Sequence, residues 1–210
     1  MSKIKNIVFD LGGVIIDLDR DSSLKRFKEI GVANIEDYLD PYEQRGIFLE
    51  LENGGVDIEE FRIKLSEIVE KPLTTEEVQS GWLGFIEAVP QYKLDYILEL
   101  RKNYNVFILS NTNPVVMEWA KTPAFSEAGL PVTDYCDKFY ASFEMKVTKP
   151  NPRIFDLMIQ DSGMLASETL FVDDGKLNVE TGAKLGFLTY QPLNKEDWRK
   201  PIDQILQGNA

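Results

Sequence analysis

The chain has 210 residues, 43% of them hydrophobic and 28% charged, and carries a formal net charge of −12. That length and apolar content support one or two domains with a self-sufficient core, and the acidic balance, with no basic run, argues against nucleic acid or an anionic membrane as partner. There is no histidine and a single cysteine, Cys136, which excludes imidazole bases, Ser-His-Asp and Cys-His nucleophiles, histidine zinc sites and internal disulfides.

No stretch reads as a signal peptide and no run of 18 apolar residues is present, so a cytoplasmic location and no membrane partner are expected. Any chemistry falls to the carboxylates.

In chain order, Ile4 to Gly13 reads as a short buried strand that ends in Asp10 followed by Gly12-Gly13. Residues 18–89 break with strand grammar and predict an all-helical block. Within it, Asp57 through Glu60 and Thr74 through Glu77 are capping boxes, and Gly54-Gly55 separates two helices. Strand grammar resumes at Val106 to Asn111 and at Leu170 to Gly175, with weaker candidates at Lys138–Ala141 and Phe187–Tyr190. Asn113-Pro114 and Asn151-Pro152 place an N-cap residue before a proline at the first helical position.

Alternating strands and helices predict an α/β fold with a doubly wound parallel sheet. Its core would span 1–17 and 90–210, and residues 18–89 would form an inserted helical cap. In such sheets ligands bind outside the carboxyl ends of the strands, where Asp10, Ser110 and Asp173-Asp174 would lie. Adjacent carboxylates at a strand end repel each other unless a cation is near; Mg²⁺, with hard oxygen ligands and a substrate phosphate, suits them. A solvated acidic turn is the plainer use of the pair, as a helix or turn cap is for Asp10 and mere exposure is for Lys149.

Taken together, Asp10 in FDLGG, Ser110 in LSNTN, Lys149 in KPNPRIF and Asp173-Asp174 in FVDDGKLNV resemble, in order, the four motifs of the haloacid dehalogenase-like (HAD) hydrolases. The chain is similar to the small-capped bacterial phosphatases of that superfamily whose first motif reads FDLGxV. The resemblance implies a Rossmann-like core and a Mg²⁺-dependent phosphatase for a small phosphorylated metabolite, with a sugar phosphate such as glucose 1-phosphate as its example. It implies that Asp10 is the nucleophile and forms an aspartyl-phosphate. Mg²⁺ would be bound by Asp10, the Gly12 carbonyl, Asp173 and Asp174. Phosphoryl oxygens would be held by Ser110, the Asn111 backbone, the Gly12 and Gly13 amides and Lys149, which also orients Asp10.

One departure matters. Where the family pattern has a second aspartate, two residues after the nucleophile, this chain has Gly12. The lost carboxylate is the family's general acid and base, worth roughly 10²–10⁴-fold in rate. Leaving groups that need little protonation are therefore expected to be favoured, unless Asp17 or a cap residue substitutes. Competing readings are a weakened homologue that acts as a binding or phospho-switch module, and a 2-haloacid dehalogenase, which the Asp173-Asp174 pair disfavours. Arg45 and the Asn53-Gly54-Gly55 turn are candidates for substrate contact, whereas Trp82, Phe85 and Tyr92 read as packing. Asp17 and Asp19 are expected at the hinge into the cap. The chain would act as a monomer or homodimer.

Overall fold

The computed structural model describes residues 3–39 and 44–208. Five parallel strands form its centre, in the order β5-β4-β1-β6-β7: β1 (Asn6–Phe9), β4 (Asn105–Ser110), β5 (Lys138–Ala141), β6 (Thr169–Val172) and β7 (Leu188–Tyr190). All four residues of β1 and of β6 are buried, because helices cover both faces of a parallel sheet. Those helices are α6 (Gln91–Leu100), α7 (Pro114–Ala120), α8 (Ser142–Met145), α9 (Pro152–Ser162), α10 (Lys176–Lys184) and α11 (Arg199–Gly208). One face buries Phe9, Leu94, Ile97, Ile108, Trp198 and Ile202; the other buries Val8, Leu109, Phe155, Phe171 and Phe187.

Register positions the chemistry. Phe9 pairs with Ile108 on one side and Val172 on the other. The residues one step on, Asp10, Leu109 and Asp173, therefore emerge together at the carboxyl edge. Chain order reverses about β1, which opens the crevice such sheets use for ligands.

Among the described residues, five helices lie between Leu18 and Ile86: α1 (Arg20–Glu29), α2 (Ile35–Tyr38), α3 (Gly46–Glu52), α4 (Ile58–Ile68) and α5 (Thr75–Leu83). They enclose their own cluster of Phe27, Phe48, Leu51, Phe61, Leu65 and Trp82, against which Val115 of α7 packs. Both expected capping boxes are closed, with Asp57 and Thr74 accepting from the Glu60 and Glu77 amides and the two glutamates reaching back. Asp19 caps α1 through the Ser22 amide. The Asn113 and Asn151 side chains cap α7 and α9.

The helical block is not free of strands, contrary to the sequence reading. β2 (Asp17–Leu18) and β3 (Ile86–Ala88) pair antiparallel where the chain leaves and re-enters the sheet layer. Two or three residues are too few for a period-2 pattern to show.

Candidate active site

Asp10 is the first residue beyond β1, and its amide donates to the Val172 carbonyl at 2.8 Å. The Asp10 side chain turns back on its own loop, where Oδ1 accepts from the Leu11 amide at 2.7 Å and lies 3.0 Å from the Lys149 ammonium. Oδ2 accepts no hydrogen bond among the described residues. One carboxylate oxygen is thus anchored and the other presented.

Lys149 is buried rather than exposed, reaching in from the turn before α9. Its Nζ donates to the Leu109 carbonyl at 2.8 Å and to Asp173 Oδ2 at 2.6 Å. The Asn111 side chain holds that turn, accepting from the Lys149 amide at 2.8 Å and donating to its carbonyl at 2.9 Å. Asn111 therefore spends its side chain on Lys149 and leaves only its backbone toward the crevice. Ser110, buried at the end of β4, makes one long contact of 3.4 Å from its hydroxyl to the Asn111 carbonyl.

Asp173 uses three of its four acceptor positions within the protein. Its Oδ1 accepts from the Gly175 amide at 2.8 Å and from Asn178 Nδ2 at 2.9 Å, opposite the Lys149 contact on Oδ2. Asn178 was missed in the sequence, although a polar residue one turn into the helix that follows the acidic pair was a usable signal.

Asp174 packs on Gly13. A Cβ on Gly13 would stand 2.1 Å from Asp174 Oδ2, and Gly13 has φ +71°. The Gly13 N–H, expected from the sequence to hold phosphate, donates to the Ile16 carbonyl at 2.8 Å. Two constraints thus require glycine at position 13, a left-handed backbone and the close approach of a carboxylate. The Gly12 amide takes no acceptor among the described residues.

Carboxylate oxygens of Asp10, Asp173 and Asp174 all lie within 4.8 Å of one another. Lys149 is the one ammonium among them, so negative charge is left uncompensated. Burial and the neighbouring Asp173 carboxylate push Asp174 up to about 6, and burial drives Asp10 up despite Lys149. Three hard oxygen donors converging with excess negative charge fit a Mg²⁺-sized dication.

Above the strand ends lies a cavity of about 310 Å³. The sheet edge contributes Gly12, Ser110, Asn111 and Asp174, and the helical layer contributes Arg20, Gln44, Glu52, Trp82 and Phe85. Trp82 and Phe85 pack as expected, yet both also face this cavity, and Trp82 Nε1 is buried without a partner. Arg45 and Tyr92 are not on its wall, and Tyr92 lies under the Arg199 guanidinium at 4.5 Å. Asp17 accepts from the fully buried Lys93 at 2.8 Å and is also off the wall.

The fold and this strand-edge site define a doubly wound α/β protein with a carboxylate cluster and a buried lysine at its ligand crevice. The family profile of the haloacid dehalogenase-like hydrolases matches residues 4–186, and the chain belongs to that family. It is similar to the D-ribitol-5-phosphate phosphatase of Bacteroides thetaiotaomicron, 54% identical over 205 residues, which cover 98% of this chain and 100% of that one. A predicted HAD-like family hydrolase from Porphyromonas gingivalis superposes with TM-score 0.95 at 50% identity, over 98% of this chain and 99% of that one. A HAD family enzyme from B. thetaiotaomicron, solved as a complex with magnesium and inorganic phosphate, superposes with TM-score 0.85 at 40% identity, over 93% and 97% of the two chains. No helix among the described residues is long and apolar enough to cross a membrane.

Proposed function

We propose that the chain is a Mg²⁺-dependent phosphatase of small polyol or sugar phosphates that works through an aspartyl-phosphate on Asp10. The carrying observation is the asymmetry of the Asp10 carboxylate: Oδ1 is held by Leu11 and Lys149 while Oδ2 has no partner. Support for a polyol phosphate comes from the substrate in the name of the 54%-identical relative and from a cavity of about 310 Å³, suited to a small molecule.

In this reading Asp10, Asp174, the Gly12 carbonyl and, directly or through water, Asp173 hold Mg²⁺. Bound there, the ion acts as a Lewis acid that draws charge from the phosphoryl oxygens. Ser110, the Gly12 amide and the Asn111 backbone bind those oxygens. Asp10 Oδ2 attacks phosphorus, the ester P–O bond breaks, and Lys149 offsets the charge gathered on Asp10 and Asp173. Positioning and charge stabilisation supply most of the rate for phosphoryl transfer. Residues 18–89 serve as the cap that encloses the substrate over the 1–17 and 90–210 core.

The test is phosphate release from D-ribitol 5-phosphate and glucose 1-phosphate, with Mg²⁺ and with EDTA. Turnover that needs Mg²⁺, favours ribitol 5-phosphate and falls to about 10⁻³ or less in Asp10→Asn is expected. Metal-independent turnover, or an Asp10→Asn variant as active as wild type, overturns the reading.

A further inference from the structure

A primary alkyl phosphate such as ribitol 5-phosphate has a strongly basic leaving group, which needs a proton as it departs. Gly12 has no carboxyl to give one, and Asp17 is paired with Lys93 away from the cavity. We infer that Glu52, the last residue of α3, is the general acid and base of this site; the inference rests on the phosphatase reading.

Four observations converge on Glu52. Glu52 lines the same cavity as Gly12, Ser110 and Asp174. It is buried, 7% exposed, and its carboxylate has no hydrogen bond or ion pair among the described residues. A largely buried carboxylate without a protein partner is costly even where its oxygens keep some contact with open space, and such groups concentrate where chemistry needs them. The backbone of Glu52 is fixed to the core, because Ser142 Oγ donates to its carbonyl at 2.6 Å and accepts from the Thr112 amide, two residues beyond Ser110, at 3.0 Å. Finally, burial and the charge of Asp10 push Glu52 up to about 8, with Lys149 opposing. Glu52 thus carries a proton at neutral pH and senses the charge on Asp10.

The steps balance as follows. As Asp10 Oδ2 bonds to phosphorus and the ester P–O bond breaks, the Glu52 carboxyl gives its proton to the departing alkoxide, which leaves as the alcohol. The Glu52 carboxylate then takes a proton from a water whose oxygen attacks the aspartyl-phosphate. The P–O bond to Asp10 breaks, phosphate departs, and both carboxyls return to their starting states. A glutamate from the helical layer replaces the aspartate absent at position 12.

The experiment is pre-steady-state phosphate and alcohol release by wild type and Glu52→Gln, with Mg²⁺, on D-ribitol 5-phosphate and on p-nitrophenyl phosphate, whose phenolate leaves without a proton. Glu52→Gln is isosteric and strips no partner of a bond, so folding is expected and is checked by thermal melting. The inference predicts that phosphorylation of Asp10 by the alkyl ester slows by roughly 10²–10⁴-fold. The p-nitrophenolate burst should slow less than about tenfold, and the phosphoenzyme should persist after it. The Kd for each ester, read from the concentration dependence of the burst rate, should stay within about threefold. Glu52→Asp, which keeps the carboxyl, should recover part of the alkyl rate; should Glu52→Gln fail to fold, Glu52→Asp decides, a larger loss on the alkyl ester than on p-nitrophenyl phosphate supporting Glu52 and an equal loss on both, or none, refuting it. Equal losses on both esters, or none, with an active wild type, overturn the role of Glu52 and leave the phosphatase reading standing. A wild type that cleaves neither ester overturns both.

Discussion

Lys149 and Asp173 form a 2.6 Å ion pair in which both side chains are completely shielded from solvent. Such a pair contributes little as a pair, but removing one partner leaves a buried charge uncompensated. Lys149→Met should therefore destabilise the fold by about 3–5 kcal/mol and abolish phosphate release. Lys149→Arg should rescue neither, because three acceptors around a compact ammonium do not match a planar guanidinium. Chemical denaturation with parallel activity assays checks both.

Gly13 and Gly12 should respond differently to alanine. At Gly13 the new Cβ meets Asp174 Oδ2 at 2.1 Å on a backbone with φ +71°, whereas at Gly12 it meets only the flexible end of Leu18 at 3.2 Å. Gly13→Ala should cost about 1–3 kcal/mol of stability and roughly 10–100-fold in Mg²⁺ affinity, since it displaces Asp174 of the proposed metal site. Gly12→Ala should weaken Mg²⁺ binding less than about threefold. Isothermal titration with Mg²⁺ separates the two.

The turn after Glu52 is a docking element. A Cβ on Gly54, which has φ +68°, would strike the Phe143 carbonyl at 2.1 Å, and the Gly54 carbonyl accepts from Lys146 at 2.8 Å. Gly54→Ala should lower stability by about 1–3 kcal/mol and move Glu52, so turnover of ribitol 5-phosphate should fall more than that of p-nitrophenyl phosphate. Melting curves and rates on the two esters provide the check.

How much of this was readable beforehand follows from scale. Asp10, Ser110 and the Asp173-Asp174 pair were legible because each closes an apolar β-branched run, and a strand end in a parallel sheet is already an address. Both capping boxes were legible because they are local. Glu52 was not, since Phe48, Leu51 and Glu52 in sequence do not say which end of α3 meets the sheet edge; that depends on Ser142, 90 residues away. Gly13 was noticed for its amide and needed for its missing Cβ, a difference only the neighbouring Asp174 reveals. β2 and β3 were invisible because two or three residues are too few to show a period-2 alternation.

Proton linkage at Glu52 has a definite sign. Its folded pKa, about 8, stands above an ordinary value near 4.5, so the proton favours the fold. That contribution is complete below about 4.5 and is lost as pH rises toward 8, at about 1.4 kcal/mol per unit and a few kcal/mol at most. In EDTA, wild type should lose stability from pH 5 to pH 8. The gain of Glu52→Gln over wild type should be larger at pH 8 than at pH 5, as read by thermal melting at the two values.

The most direct test of the account is chemical trapping. Wild type mixed with D-ribitol 5-phosphate and Mg²⁺ is quenched in acid within one turnover, reduced with borohydride and peptide-mapped. Conversion of Asp10 to homoserine, absent without substrate and absent in Asp10→Asn, is the predicted result. Phosphate released at the full wild-type rate, with Asp10 unreduced at every quench time or with the phosphoryl group on another residue, would contradict it.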